Sequence, residues 1–415
     1  MRSVLFLCHR LPWPPSKGDK IRSYHVLQRL AEHYRVYLGA FVDDPSDWQY
    51  LAPVEALCAG ICIRPLTPWQ TRWRAFASLV RGEPLTVGVY RDGVMRRWIE
   101  ELLAERKVDL ALCYSSGVAP FVMSQPQLRR VMDFVDVDSD KWRQYAQANR
   151  GLTRMIYQRE AHRLAQFEHT VAAQFDASIL VSEAEAAFFR QQVPAAAKVH
   201  GIPNGVDGGY WDPQRVYPNP YRPEERAVVF VGAMDYRANV HAAQWFAREV
   251  WPRIFAPQPK ARFYIVGSKP TAAVRALGEL PGIVVTGRVE DVRPWVAHAH
   301  AVAAPLRIAR GIQNKVLEAL AMEKVVLATS EAWEGIEDFA GRQGCISDSP
   351  EGMATEALRW LDASQVARVA AARAMILARF DWARNLDAYE SVLGNAQPGA
   401  AFVHARGAAG VEAYP

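Results

Sequence analysis

Lys315 and Glu318 stand three residues apart, a spacing that puts an ammonium and a carboxylate on one face of a helix. They lie in Arg310-Gly311-Ile312-Gln313-Asn314-Lys315-Val316-Leu317-Glu318, which reads as a glycine-containing loop opening a short helix. Ala321-Met322-Glu323-Lys324-Val325-Val326 then leads into a β-branched strand start. A helix N-terminus presents unpaired N–H groups and a positive dipole end, and both suit an anion. An ammonium beside such a loop can neutralise a departing diphosphate, and a carboxylate one turn on can accept hydrogen bonds from a ribose. Arg310 would oppose the helix dipole unless an anion sits beside it, so it is assigned to the diphosphate as well. Gly311, Gln313 and Asn314 complete the donor loop. The plain alternative is a solvated i,i+3 pair worth about 0.2–0.5 kcal/mol. The glycine loop before the pair and the strand after it favour the ligand site.

Two further groups of residues invite a chemical reading. Asp136, Asp138 and Asp140 follow an apolar run. They lack the glycine and distal glutamate of a calcium loop, so no metal is expected. Ser139 or Asp140 is expected to cap the helix at Lys141. Asp136 or Asp138 is then free to orient an acceptor hydroxyl or take its proton, with Asp136 preferred by position. In Pro15-Ser-Lys-Gly-Asp19, Gly18 would let the backbone approach a phosphate at the start of a helix, although an ordinary turn explains the same residues. No Gly-Lys-Ser/Thr ending makes it a Walker loop. Asn204-Gly205 reads as a tight turn, and His298 and His300 as packing or capping residues.

The elements that must position these residues alternate strand and helix. Apolar runs occur at Val4–Cys8, Arg35–Val42, Val108–Cys113, Arg130–Val135 and Ala177–Val181, with a helix over about Lys20–Glu32. A second series follows at Val228–Val231, Arg262–Val266, Ile283–Thr286, Ala301–Ala304 and Val325–Ala328. This alternation predicts an α/β chain with parallel sheets and crossover helices. Two doubly wound, Rossmann-like domains facing a cleft are expected. The expected divisions are 1–205 (acceptor domain), 206–380 (donor domain), a helix over 381–395 packing back on the first domain, and a tail over 396–415. The Pro- and Tyr-rich segment Asp212–Glu225 reads as the linker.

Half the residues are hydrophobic and 22% are charged, with a net charge of +5, as in ordinary globular proteins binding anionic ligands. The five cysteines have no Cys-x-x-Cys spacing and read as buried thiols of a reducing compartment. The apolar start Val4–Cys8 is too short for a signal-peptide core, and no run approaches the roughly 20 residues of a membrane span. A cytoplasmic protein, touching the inner face of the membrane, is expected. Between Arg64 and Lys107 lie nine Lys/Arg against five Asp/Glu, with Trp69, Trp73 and Trp98. This is either a solvated amphipathic helix pair or a surface for anionic lipid. Nucleic acid is not expected, because no recognition motif accompanies the basic residues.

Several blocks, in order, resemble retaining glycosyltransferase family 4, which has the two-domain GT-B fold. They are Asp176-Ala-Ser-Ile-Leu-Val-Ser-Glu183, Val199-His-Gly-Ile-Pro-Asn-Gly-Val-Asp207, Phe230-Val-Gly-Ala-Met-Asp235, Thr286-Gly-Arg-Val-Glu-Asp291 and the donor loop around Lys315. Phe134-Val-Asp-Val-Asp-Ser-Asp-Lys-Trp142 and Arg310-Gly-Ile-Gln-Asn-Lys315 are similar to sugar transferases associated with exopolysaccharide and exosortase gene clusters. The resemblance implies sugar transfer from a nucleotide-diphosphate donor to a glycan or lipid-linked acceptor, with retention and without a metal or other cofactor.

The chain also departs from the family pattern. Arg310 stands where the family's first donor-loop glutamate is usual. Asp235-Tyr-Arg-Ala-Asn239 keeps an arginine, Arg237, but not the family's lysine, which Lys315 would replace. The first domain reads Asp136-Val-Asp138 where the family offers a histidine. The missing glutamate and histidine keep open a non-catalytic nucleotide-sugar-binding protein; a GT-B epimerase or phosphorylase is a further alternative, although the sequence gives no signal for the pyridoxal-phosphate lysine pocket that a phosphorylase would need.

Overall fold

β-Branched and aromatic runs set where the chain extends into strands. A computed structural model describes residues 2–15, 18–195, 197–309, 311–336, 344–362 and 369–394. Its first strands are β1 (Arg2–Cys8), β2 (Tyr34–Val42), β3 (Gly60–Pro65), β4 (Leu110–Tyr114), β5 (Arg129–Val135), β6 (Ala177–Leu180) and β7 (Val199–Gly201). All pair in parallel, in the order β3-β2-β1-β4-β5-β6-β7. A second parallel sheet follows: β8 (Arg226–Val231), β9 (Ala261–Val266), β10 (Ile283–Gly287), β11 (Ala301–Ala304), β12 (Val326–Ala328) and β13 (Gly344–Ile346). Its order is β10-β9-β8-β11-β12-β13. Helices cover both faces of such sheets, which is why Val4–Cys8 and Val228–Phe230 are buried end to end.

All ten expected strands form. The three that sequence patterning missed are β3, β7 and β13, and each lies at a sheet edge. Strand β3 is only half-buried along its length, so Gly60–Pro65 carries no continuous apolar run. The basic stretch expected to be helical from Arg64 therefore begins as an edge strand.

The chain divides into two compact units. One contains residues up to Pro203 together with the final helix from Leu386; the other is Asn204–Asn385. In the first unit, the helix Trp382–Leu393 contributes Tyr389, whose hydroxyl donates to Asp133 Oδ2 at 2.9 Å, and Glu390, paired with Arg29 at 3.0 Å. Arg129 donates to the carbonyl of Val392 at 2.9 Å.

Three expectations need correction. Asp212–Glu225 is not a linker but part of the second unit. Trp211 and Tyr221 are buried in its core, and the Tyr221 hydroxyl donates to Trp295 O at 2.5 Å. Nor do Asn204 and Gly205 form a tight turn. Neither residue lies in a turn, and a Cβ on Gly205 would lie 2.6 Å from the Trp382 ring, so close packing requires the glycine. All five cysteines are free, but only Cys8 and Cys113 are buried. Among the described residues, no helix is long and apolar enough to cross a membrane.

Candidate functional site

Each sheet begins in its middle, builds outward to one edge, then crosses to the other side. The adjacent strands β1 and β4, and likewise β8 and β11, therefore send their following loops in opposite directions. Such switch points leave a crevice at the carboxyl ends of the strands. In the second unit, β8 leads through Gly232 into the helix Arg237–Trp245, and β11 leads into the helix Asn314–Ala321. Gly311, Gln313, Asn314 and Lys315 thus collect at this switch point.

The helix Asn314–Ala321 buries Val316, Leu317, Ala319 and Leu320, at roughly 1.5–3 kcal/mol for each large aliphatic side chain. That anchorage leaves Lys315 and Glu318 on a half-buried face. Gly311 adopts φ 62°, a left-handed conformation natural to glycine, and its N–H donates to Glu334 Oε2 at 2.9 Å. Gln313 occupies the N-cap without a side-chain cap bond, and its amide donates instead to Gly311 O at 3.0 Å. Asn314 Oδ1 accepts from Asn204 at 3.1 Å, while Asn314 Nδ2 is buried with no partner.

Lys315 does not form an ion pair with Glu318. Its ammonium donates to Asn239 Oδ1 at 2.6 Å and lies 4.7 Å from the centre of the Phe230 ring. Asn239 is fixed in turn by donating to Ala233 O at 2.9 Å. A Cβ on Gly232 would come within 2.7 Å of Asn239 Nδ2 and 3.4 Å of Lys315 Nζ, so the glycine makes room for both. Burial pushes Lys315 down to about 8, and the Glu318 charge only partly opposes this. Burial likewise pushes Glu318 up to about 7 despite Lys315. Tyr210 lies near enough to feel the Glu318 charge. It stacks under Arg293, 4.0 Å from its ring centre, and Arg293 is held at 2.8 Å by Asp291 of the Thr286–Asp291 block.

Arg237 is exposed, and its charge acts on His241 one turn along rather than on Lys315. Sequence reasoning missed Asn239, two residues further on; the signal was a polar side chain in the first turn after a glycine loop. Arg310 lies outside the described residues. His298 and His300 pack as expected: His300 Nδ1 accepts from Ala227 N at 3.2 Å, and His298 Nε2 lies 2.8 Å from Tyr217 O.

Gly18 and Asp136 belong to the first unit. Gly18 opens the helix Gly18–His33 after β1. Here the switch point holds a cluster that sequence reasoning missed. The His9 ring stacks on Tyr114 at 5.8 Å, and His9 Nε2 lies 3.3 Å from Asp19. Arg10 pairs with Asp19 at 2.7 Å and with Asp43 at 2.9 Å. Burial alone would raise the Asp19 carboxyl, but the His9 hydrogen bond and the Arg10 charge hold it well below the usual carboxylate range. Ser115 and Val135, at the ends of β4 and β5, adopt φ 76° and 69°, strain that functional loops often store.

Asp136 and Asp138 both pair with Lys141, at 2.7 and 3.2 Å. The capping expectation fails: the helix Asp138–Gln147 has Val137 at its N-cap, with no side-chain cap bond. Glu168 and Glu185 reach in instead. Glu168 accepts from the Ser139 N–H at 3.3 Å and from its hydroxyl at 2.5 Å, and Glu185 accepts from the Val137 N–H at 3.4 Å. Burial pushes Glu168 up to about 8. Among the described residues, no group of three or more His, Cys, Asp or Glu could hold a metal.

Residues 225–363, spanning β8 to the helix Pro350–Leu361, match the family model described as glycosyl transferases group 1. The match falls wholly within the second unit. Asn239, Lys315 and Glu318 all fall within the matched residues. Solved structures extend the likeness to the whole fold. Sucrose-phosphate synthase from Thermosynechococcus elongatus superposes with a TM-score of 0.68 at 16% identity, over 94% of this chain and 98% of that one. WaaG, a glycosyltransferase involved in lipopolysaccharide biosynthesis, gives 0.66 at 17% identity, over 94% and 100%. HepE of Anabaena, solved with UDP-glucose, gives 0.64 at 14% identity, over 95% and 100%. The fold around the matched residues is therefore GT-B. No curated protein matches the chain in sequence.

Proposed function

We propose that this protein is a retaining, metal-independent glycosyltransferase of family 4. It moves a hexosyl group from a nucleotide-diphosphate sugar to a glycan or lipid-linked acceptor in exopolysaccharide biosynthesis, at the cytoplasmic face of the membrane. The observation that carries this reading is the Lys315 ammonium. It is half-buried at the second switch point, donates to a neutral amide, lies over the Phe230 ring, and has Glu318 one turn on. A cation withdrawn from water and hydrogen-bonded to a neutral amide is costly by itself and becomes favourable when an anion arrives. HepE, solved with UDP and UDP-glucose, supports a nucleotide sugar as that anion.

In this reading the bond between the anomeric carbon and the diphosphate oxygen breaks as the acceptor oxygen bonds to that carbon. The diphosphate takes the acceptor proton. Lys315, with Arg310 and Arg237, stabilises charge growing on the leaving group, usually the largest single contribution to such catalysis. Glu318 binds the ribose; Gly311, Gln313 and Asn314 shape the donor loop, with Gly18 in the first unit. Asp136 orients the acceptor hydroxyl. No cofactor takes part.

Replacement of Lys315 by Ala tests the reading. Donor turnover should fall by about 10²–10³-fold, as for loss of one transition-state donor. Turnover within a few-fold of wild type would sink it. Donor binding without turnover in the wild-type protein would instead mark a nucleotide-sugar-binding protein.

A further inference from the structure

In the first unit, the helix Pro68–Arg81 turns its apolar side chains outward. Trp69, Trp73, Phe76 and Val80 are 63%, 66%, 58% and 73% exposed. Their spacing of four, three and four places them in one stripe. The opposite face carries Thr71, Arg74 and Ser78, and this face is the one the protein uses. Ser78 is buried against Gly88, and Arg74 donates to Val89 O at 3.1 Å and pairs with Asp92. The helix is thus fixed with its aromatic stripe in solvent, a costly arrangement in water alone.

The stripe has a neighbour. Arg159, on the helix Gly151–Gln174, donates to Leu79 O at 3.3 Å and Glu83 O at 3.2 Å. Next to it, Glu160 accepts from the N–H groups of Leu85 and Thr86 at 2.7 and 2.9 Å. Leu152, Met155 and Ile156 lie on the same helix face as Arg159, about 10 Å or less along the axis, and they too are exposed. Residues 68–82 contain Arg72, Arg74 and Arg81 and no acidic residue; residues 150–159 contain Arg150, Arg154 and Arg159 and none either. Of these, Arg72, Arg81, Arg150 and Arg154 are exposed.

We propose that this face docks on an anionic lipid surface, with Trp69, Trp73, Phe76 and Leu152 entering the headgroup boundary and Arg72, Arg81, Arg150 and Arg154 meeting lipid phosphates. Tryptophan beside arginine, with no acid, is the chemistry that an anionic interface selects. A protein partner would more often bring carboxylates to be matched by both signs of charge. The proposal stands on the first unit alone and does not depend on the donor-site reading.

Flotation of the full chain with vesicles tests it. The protein should rise with phosphatidylcholine vesicles containing phosphatidylglycerol, rise weakly with phosphatidylcholine alone, and bind less as salt is added. The double variant Trp69→Ser/Trp73→Ser should weaken vesicle binding on the order of a hundredfold through lost apolar contact. Its thermal midpoint should not change, since both side chains are exposed. Arg72→Gln and Arg154→Gln should each weaken binding about fivefold. Absence of flotation on phosphatidylglycerol vesicles at low salt would overturn the proposal. So would a double variant that floats like wild type, or a concentration-dependent dimer that the double variant dissolves, which would make a second copy the occupant.

Discussion

The two switch points share a topology and differ in how they treat charge. In the first unit, the charges that follow β1 are paired: His9 and Arg10 surround Asp19, and beneath them Arg22 meets Asp133 at 2.8 Å with both side chains almost fully buried. In the second unit, Lys315 rests against an amide and a ring, Glu318 makes no ion pair among the described residues, and Asn314 keeps an unsatisfied donor. Self-neutralised charge builds a rigid scaffold. Charge left uncompensated stores unfavourable free energy that a ligand of the right sign releases. In the function proposed above, the second switch point is the one built around an anion.

The largest expected effect is structural and falls on the first unit. Arg22→Met would leave Asp133 buried with only Tyr389 and a backbone N–H, and should cost about 3–5 kcal/mol in urea unfolding. The matching change in the second unit, Lys315→Met, should cost less than about 1 kcal/mol, because no buried carboxylate loses an ion-pair partner. Equal losses from the two variants would break the distinction.

Next in size is a variant that makes the second switch point resemble the first. Asn239→Asp would give Lys315 a carboxylate at its present hydrogen-bonding distance. The lysine must be protonated to hold a diphosphate. With its value near 8, donor affinity should decline in the wild-type protein as pH rises through that point. In the variant, the ion pair should move this decline to higher pH. The neutralised site should also bind the donor about tenfold more weakly at pH 7, roughly 1.4 kcal/mol. A titration of donor affinity against pH reads both shifts, and an unmoved alkaline limb would show that Asn239 does not set the Lys315 environment.

Much of this fold was legible because the parallel strands are buried on both faces and so appear as apolar runs. The edge strands β3, β7 and β13 were not, because an edge strand needs no such run. The helix Asn314–Ala321 could be read from Gly311 and the Lys315–Glu318 spacing, which are local features. Asn239 could not, because its value lies in meeting a lysine 76 positions away. The capping expectation at Asp138–Gln147 failed for the same reason. Ser139 has the right local chemistry, but Glu168, distant in sequence, claims its hydroxyl. The reading of Asp212–Glu225 as a linker gave weight to its prolines and overlooked Tyr221, which needed a core to enter.

The smallest effect is also the most diagnostic of stored charge. Glu318 has its value raised to about 7 by burial, so its favourable contribution is complete below the unfolded value and is lost as pH rises through about 7. Glu318→Gln removes that penalty. The variant and wild type should melt alike near pH 4.5, where both side chains are neutral, and diverge as pH climbs. By pH 8 the variant should be more stable by about 2–4 °C, on the order of 1 kcal/mol for a unit of this size. The gain should come with weaker donor binding, because an amide accepts from a ribose less strongly than a carboxylate. Greater stability that builds between about pH 4.5 and 7, together with poorer binding at pH 8, is the signature of a carboxylate retained for its ligand. A variant less stable than wild type at pH 8 would mean that Glu318 serves the fold, and the contrast between the switch points would then rest on Lys315 alone.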